Sequence, residues 1–262
     1  MFILKQKYGK IISGDVMKKM LLLIPLALLL VGCKKKKDDP LTYEIRANNT
    51  YTAILEDGST AKNVKIPKTH NNKTVTEISG FRNNAYIETV SFSANITTID
   101  PGAFTFCENL KKISVSSNDK FKSIDGNLYD DKSLLIYASG KTDESFKTDY
   151  NISEKAFTIA PNLKKIKALG NKVGKNAFMF LENIEEIYIG ENTEVASGFI
   201  LGIMPKKLIV NNRMMLNEIT INEINEVYVI KNGIVSEEFL SYYTFKNEVT
   251  LDKQTYSLYE VK

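Results

Sequence analysis

The sequence predicts an α/β solenoid built mostly from short parallel strands, and three observations predict it. Phenylalanine recurs at Phe81, Phe104, Phe157, Phe178 and Phe199, separated by 23, 53, 21 and 21 residues. A small residue precedes each one: Gly80, Ala103, Ala156, Ala177 and Gly198. Each is followed at fixed spacing by three apolar positions, the last two only one residue apart. These are Ile87, Val90 and Phe92; Leu110, Ile113 and Val115; Leu163, Ile166 and Ala168; Ile184, Ile187 and Ile189; Pro205, Leu208 and Val210. A sixth copy lacks the Phe but keeps Ile224, Val227 and Val229.

The closely spaced apolar pair marks a short strand, such as Ile113-Ser114-Val115, with alternate residues facing in. One such strand cannot bury its apolar side alone. Stacked neighbours bury a continuous core behind a parallel sheet, and a period of 21–23 residues lies within the range of leucine-rich repeats. The Phe then packs behind the strand, under a short helical or irregular convex segment. Three copies add an aliphatic residue five before the Phe: Ile99, Ile152 and Val173.

From the start of the chain, Lys18-Lys19 precedes an uncharged apolar stretch from Met20 to Gly32. Thirteen residues are too few to cross a bilayer as a helix, which needs about 20. A basic region followed by such a stretch reads as a secretory signal peptide over 17–33. Met17 is then the natural start, and 1–16 reads as an upstream extension of the frame. Residues 1–33 carry five lysines and one aspartate, and the whole chain is also +4, so the remainder is near neutral. The sequence pI of 8.7 is therefore no sign of nucleic-acid binding. Lys34 to Lys37 and Asp38-Asp39 open a charged linker, 34–42, that spaces the following domain from a membrane. Residues 43–230 hold the repeats, with an insertion at 117–150. Residues 231–262 read as a cap: Ser236 and two glutamates start a helix, and 244–262 alternate around Asp252-Lys253 as a hairpin.

Two resemblances sharpen this. Leu30-Val-Gly-Cys33 resembles the bacterial lipobox, which implies that Cys33 is lipidated and becomes the mature N-terminus. The run Asp100-Pro-Gly-Ala-Phe-Thr-Phe-Cys-Glu-Asn-Leu-Lys-Lys-Ile113 resembles the BspA-like leucine-rich repeat family. Val64-Lys-Ile-Pro67 with Lys73-Thr-Val-Thr-Glu-Ile78 is similar to that family's entry into its first repeat. Asp125-Gly-Asn-Leu-Tyr129 with Leu134-Leu-Ile-Tyr137 is similar to its hairpin insertion. Val227 to Ser236 resembles the segment that closes its arrays. The likeness covers roughly residues 43–245. It implies a right-handed solenoid on a microbial surface, used for contact with other molecules; Lys34 to Pro40 also resembles the lysine-then-acidic signals that send some lipoproteins to the outer face, so the expected location is the cell surface or outer membrane.

Candidate chemistry is sparse. Cys107 is the one cysteine besides Cys33, so no intramolecular disulfide is available to the mature chain. Its column holds Asn84, Ala160, Leu181 and Gly202, mostly small or apolar, so it reads as core filling rather than a reactive thiol. His70, the single histidine, lies in a polar loop and reads as solvated. It has no partner at metal-ligand spacing, and no glycine-rich phosphate loop is present. Neither a cofactor nor catalysis is expected. Alternation sends Lys165, Lys167, Tyr188, Lys207, Ile209 and Tyr228 outward from the sheet. Tyr188, Ile209 and Tyr228 form an exposed column that reads either as a binding face edged by lysines or as ordinary scattered apolar surface. The expected partner is a protein or glycan, bound in adhesion or host contact. The alternative is a capture lipoprotein holding glycan or peptide for a neighbouring transporter.

Overall fold

Wherever the strand motif recurs, its inward residues are aliphatic and stack in register, which makes a parallel sheet the way to bury them. In the computed structural model, which describes residues 39–202, 205–212 and 224–262, that expectation holds. Asn63–Lys65, Thr89–Ser93 and Lys112–Ser116 form one parallel three-stranded sheet. Ser145–Thr148, Lys165–Ala168, Glu186–Ile189, Lys207–Val210 and Glu226–Ile230 form a second, again parallel and in register. The first strand of that second sheet comes from the stretch read as insertion.

Behind it, each later repeat adds two more short strands. Ser133–Ile136, Asn151–Ile152, Lys172–Val173 and Glu194–Val195 pair in parallel, as do Phe157–Thr158, Phe178–Met179 and Ile200–Leu201. The convex segments expected to be short helices or irregular are thus turns and two-residue strands. Among the described residues the one helix is Glu237–Tyr242, outside the repeats. The Phe residue itself explains this. Its amide donates to the next coil, Phe157 N to Ala177 O at 2.9 Å and Phe178 N to Phe199 O at 2.9 Å, so the backbone is committed between coils instead of within a helix.

The repeated Phe side chains are buried: Phe81, Phe104, Phe157, Phe178 and Phe199 are at most 3% exposed. Phe81 and Phe104 lie 5.0 Å apart by ring centroid, Phe157 and Phe178 5.4 Å, Phe178 and Phe199 6.1 Å. The column is broken at the insertion, where Tyr137 stacks on Phe157 at 4.9 Å instead. The apolar core divides there too, into a cluster from Leu41 to Ala138 and another from Tyr129 to Tyr243. Polar residues join the coils at the edges. Asn109, Asn162 and Asn183 each donate from the side-chain amide to a carbonyl one coil earlier, at 2.6–2.9 Å.

The insertion is a hairpin, Lys122–Ile124 with Asn127–Tyr129, continued antiparallel by Ser133–Ile136. Asp125 and Gly126 turn it with φ of 50° and 80°, the left-handed pair a tight hairpin requires. At the start of the repeats, Leu41–Ile45 pairs antiparallel with Tyr51–Leu55, which joins Lys73–Ser79 in parallel. At the other end, the Ser236 hydroxyl accepts from Phe239 N at 3.0 Å and caps the helix. Phe239 and Tyr243 close the core, while Leu240 and Tyr242 face solvent. The chain then forms the hairpin Tyr243–Leu251 with Gln254–Val261, turned at Asp252-Lys253.

Cys107 is fully buried, its thiol 3.0 Å from the Phe81 carbonyl, and burial pushes its pKa up to about 11. His70 is not simply solvated: its ring stacks on Tyr43 at 3.7 Å, with Tyr51 edge-on at 5.2 Å. Residues 17–33, the Cys33 anchor and Lys34 to Asp38 lie outside the described residues. No described helix is long and apolar enough to cross a membrane.

Candidate binding face

The parallel register lines the outward side chains of the second sheet into two ladders. One runs Ser145, Lys165, Glu186, Lys207, Glu226, Glu260. The other runs Lys147, Lys167, Tyr188, Ile209, Tyr228, Leu258. The first is an alternating row of charges over most of its length. The second changes along its length from cationic to apolar.

The column expected to be exposed is largely covered. Ile209 and Tyr228 are 6% and 8% exposed, and Tyr188 is half-buried. The cover is the C-terminal hairpin. Its strand Gln254–Val261 pairs antiparallel with Glu226–Ile230 and continues the sheet. Tyr256 and Leu258 pack with Ile209 and Tyr228 as a small separate core, joined by the half-buried Tyr188, Ile230, Val249 and Leu251. The Tyr256 hydroxyl reaches past a strand to Asn211 Oδ1, at 3.2 Å. The physical reason is simple: an apolar column and an alternating hairpin carried by the same chain bury each other. Ile209 and Tyr228 are therefore packed within the protein over most of their surface.

Burial sets the chemistry of these phenols. The Tyr228 hydroxyl donates to Glu226 Oε2 at 2.8 Å, and burial, followed by the nearby carboxylates, pushes its pKa up to about 12. Burial beside Tyr188 drives Tyr256 well above the ordinary phenol range. Both stay protonated at neutral pH. Neither is placed as a general base.

The open part of the face lies toward the insertion. There the hairpin tip, at Leu251, Asp252 and Gln254, leans over the sheet and encloses a recess of about 340 Å³ with Lys165, Lys167 and Tyr188. Lys165 is exposed, and Lys167 and Lys207 are half-buried. The Lys167 ammonium sits 4.4 Å from the Tyr188 ring centre, and Lys207 4.3 Å from that of Tyr228. Of the six residues expected on this face, three, Lys165, Lys167 and Tyr188, meet at the recess. Ile209 reaches its floor, and Lys207 and Tyr228 lie beside it under the hairpin.

Sequence reasoning missed Phe146 and Lys147, which also line the recess. The alternation in Ser145-Phe-Lys-Thr148 was their signal, hidden by its place in the insertion. Lysines elsewhere are neutralised at the start of each strand: Lys62 and Lys111 by Glu88, Lys164 by Glu144, Lys206 by Glu185. By contrast, Lys147, Lys165, Lys167 and Lys207 have no carboxylate at ion-pairing distance among the described residues. No described group of histidine, cysteine or carboxylate side chains could hold a metal ion. Three lysines, Lys147, Lys165 and Lys167, and two carboxylates, Glu186 and Asp252, line the recess, which leaves its wall with a small excess of positive charge.

Stacked coils of one short motif, with polar joins at the edges and a capped end, define a leucine-rich repeat solenoid. The family match is more specific. The BspA type leucine rich repeat region matches in six copies, over residues 44–149 and 80–200, and the chain belongs to that family. Two solved structures are similar. A leucine rich cell surface protein from Faecalibacterium prausnitzii A2-165 is 14% identical, with a TM-score of 0.36, over 70% of this chain and 90% of that one. A leucine rich repeat protein from T. pallidum is 13% identical, with a TM-score of 0.34, over 67% of this chain and 85% of that one.

Proposed function

We propose that this chain is a bacterial surface lipoprotein, tethered through Cys33, that binds a macromolecule in adhesion or host contact and carries out no catalysis. The observation that supports it best is the recess at the open end of the second sheet. Unneutralised Lys165 and Lys167 and the half-buried Tyr188 line it on a rigid ladder. Family membership fits the same role, because a solenoid presents one extended face to a partner. Lysines without internal partners favour an acidic protein segment or a sulfated glycan.

The test has two parts. Protease added to intact cells should degrade the chain, and Cys33→Ala should release it from membranes or leave an unprocessed precursor. A ligand array probed with the full chain in detergent should then yield a partner whose binding falls at least tenfold on joint change of Lys165, Lys167 and Tyr188 to Ala. Tenfold is about 1.4 kcal/mol. Protection of the chain in intact cells, or unaltered binding by a folded triple variant, would sink the proposal.

The size of the recess, about 340 Å³, supports a second reading: capture of a short glycan or peptide for a transporter. A transporter gene beside this one, and binding of a short oligomer as tight as that of its parent polymer, would favour capture over adhesion.

A further inference from the structure

The second sheet has two ends, and they differ. Its outermost strands are Tyr243–Leu251, the outer arm of the C-terminal hairpin, and, at the other end, Ser145–Thr148. Strand Ser145–Thr148 bonds to Lys165–Ala168 through its even-numbered residues: Glu144 O accepts from Lys165 N at 3.1 Å, and Thr148 O from Leu169 N at 2.9 Å. In a parallel pair the N–H and C=O of one residue point the same way, and the next residue points the other way. Ser145 and Lys147 therefore turn their backbone groups away from the sheet. Both residues are exposed.

The side chains at this edge carry a second message. Lys147 and Lys167 are directly in register on neighbouring strands, and like charges so placed oppose each other. Neither has a carboxylate partner among the described residues, whereas Lys164, just before the strand Lys165–Ala168, does. Between Ser145 and Lys147, Phe146 packs edge-on to Tyr137 and Phe157, at 5.2 and 5.4 Å by ring centroid, and is still only partly buried. Among the described residues this edge thus has no backbone partner on its outer side, no carboxylate ion-paired with its outward lysines although Glu186 and Asp252 line the same recess, and only partial cover over Phe146.

We infer that Ser145–Thr148 is a docking edge for an extended peptide of alternating acidic and apolar residues, which adds to the sheet as a further strand. This rests on the binding role proposed above and names its partner class. The peptide's amides and carbonyls pair with Ser145 and Lys147, as in other cases of strand addition. Its carboxylates sit beside Lys147 and Lys167, and its apolar side chains cover Phe146. A second copy of this chain is the wrong occupant, because edge-to-edge pairing would bring Lys147 near its own counterpart; lysine at an edge opposes self-pairing. The Lys34 to Lys37 run of the same chain has the wrong charge. A glycan would meet a Tyr188 ring with Lys167 already on one face.

The experiment measures anisotropy of a fluorescein-labelled octapeptide of alternating valine and glutamate, titrated with the full chain in detergent. Three controls separate the contributions. One peptide is N-methylated at alternate residues and keeps its charge but not its strand donors. Another carries lysine for glutamate. A sulfated hexasaccharide supplies anions without a peptide backbone. The valine–glutamate peptide should bind, and each control at least tenfold more weakly. K147E should lose tenfold or more with the unfolding midpoint unmoved. K147P should do the same, because the Lys147 amide makes no bond within the sheet. The inference falls if the N-methylated peptide binds as well as the parent, which would mean charge alone acts. It falls equally if the hexasaccharide displaces the parent peptide at equal concentration, or if no peptide binds. If peptides fail while an array ligand still binds the recess, the docking edge is wrong and the broader binding role stands; if neither binds, both fall.

Discussion

The repeats before and after the insertion share one backbone plan and present opposite surfaces. In the first sheet the outward ladders are Asn63, Thr89, Lys112 and Lys65, Ser91, Ser114, with Ser93 beside Ser116. All are polar and at least partly exposed. In the second sheet the corresponding ladder ends in Tyr188, Ile209 and Tyr228, and there the hairpin folds onto it. Inward the two are alike: Val64, Val90 and Ile113 in one, Ile166, Ile187 and Leu208 in the other, all at most 2% exposed. The inward side chains specify the coil, and the outward ones are free to diverge. Where the outward ladder is an apolar column, the chain carries its own cover, and among the described residues the second sheet's outward face stays open toward the insertion.

The largest expected effect tests what the two regions share. Phe104 and Phe178 occupy the same buried position in separate clusters, so Phe104→Ala and Phe178→Ala should each cost about 3–5 kcal/mol. Urea unfolding read by residue-resolved hydrogen exchange should show protection lost first on the mutated side of the insertion. Uniform loss on both sides would mean that the two clusters behave as one core. Next in size is the effect that separates them. Ile209 lies outward yet buried, so Ile209→Ala should cost about 2 kcal/mol or more. A midpoint unchanged by that substitution would mean that the hairpin does not hold the column in solution.

These two substitutions also mark what the sequence could and could not disclose. The Phe column, the strand pairs and the turn at Asp252-Lys253 were legible because each depends on local spacing, as Phe104 and Ile113 share one coil; the insertion hairpin at Asp125-Gly126 was legible through the resemblance alone. The family resemblance rests on the same local runs. The cover over Ile209 was not legible, because it depends on contacts such as that between Asn211 and Tyr256, 45 residues apart. Alternation in 244–262 indicated a hairpin but carried no information about the surface it would meet. The convex strands were missed for a related reason. Pairs such as Phe157-Thr158 are too short for a strand pattern, and their bonds run between coils.

Extremes of pH should act on the two regions from opposite ends. In the second, Tyr228 and Tyr243 are each pushed up to about 12 from the ordinary 10.0, first by burial. A folded-state pKa above the unfolded one means the fold favours the protonated phenol. Their contribution is complete below pH 10.0 and is lost as pH rises through about 12. In the first, Glu88 is held down to about 2 from 4.5 by hydrogen bonds from Lys62 and then Lys111. Its contribution is complete above pH 4.5 and is lost as pH falls through about 2. It is the smaller of the two, because the Glu88 pairs are solvated and screened. Hydrogen exchange from pH 8 upward should therefore loosen residues 224–258 before residues 64–115. Phenolate absorbance that rises fully at pH 10, with both regions still protected, would remove the burial of these tyrosines.

The smallest expected effect is the most exacting test of the contrast. Ser91 and Ser114 occupy the outward ladder of the first sheet at the level that Tyr188, Ile209 and Tyr228 occupy in the second. Both are partly exposed, and among the described residues neither hydroxyl takes part in a side-chain hydrogen bond of the kind that holds Ser116 to the Phe92 carbonyl. Removing them deletes no contact and opens no cavity, and alanine suits a strand only slightly less well than serine suits an exposed one. The double change Ser91→Ala and Ser114→Ala should therefore move the unfolding free energy by no more than about 0.5 kcal/mol. The comparison is with Ile209→Ala, since both sites face outward on the same repeated strand. A cost above about 1 kcal/mol at the serines would lie outside that surface range. It would mean that something also covers the first sheet, and that the polar ladder is no more open than the apolar one.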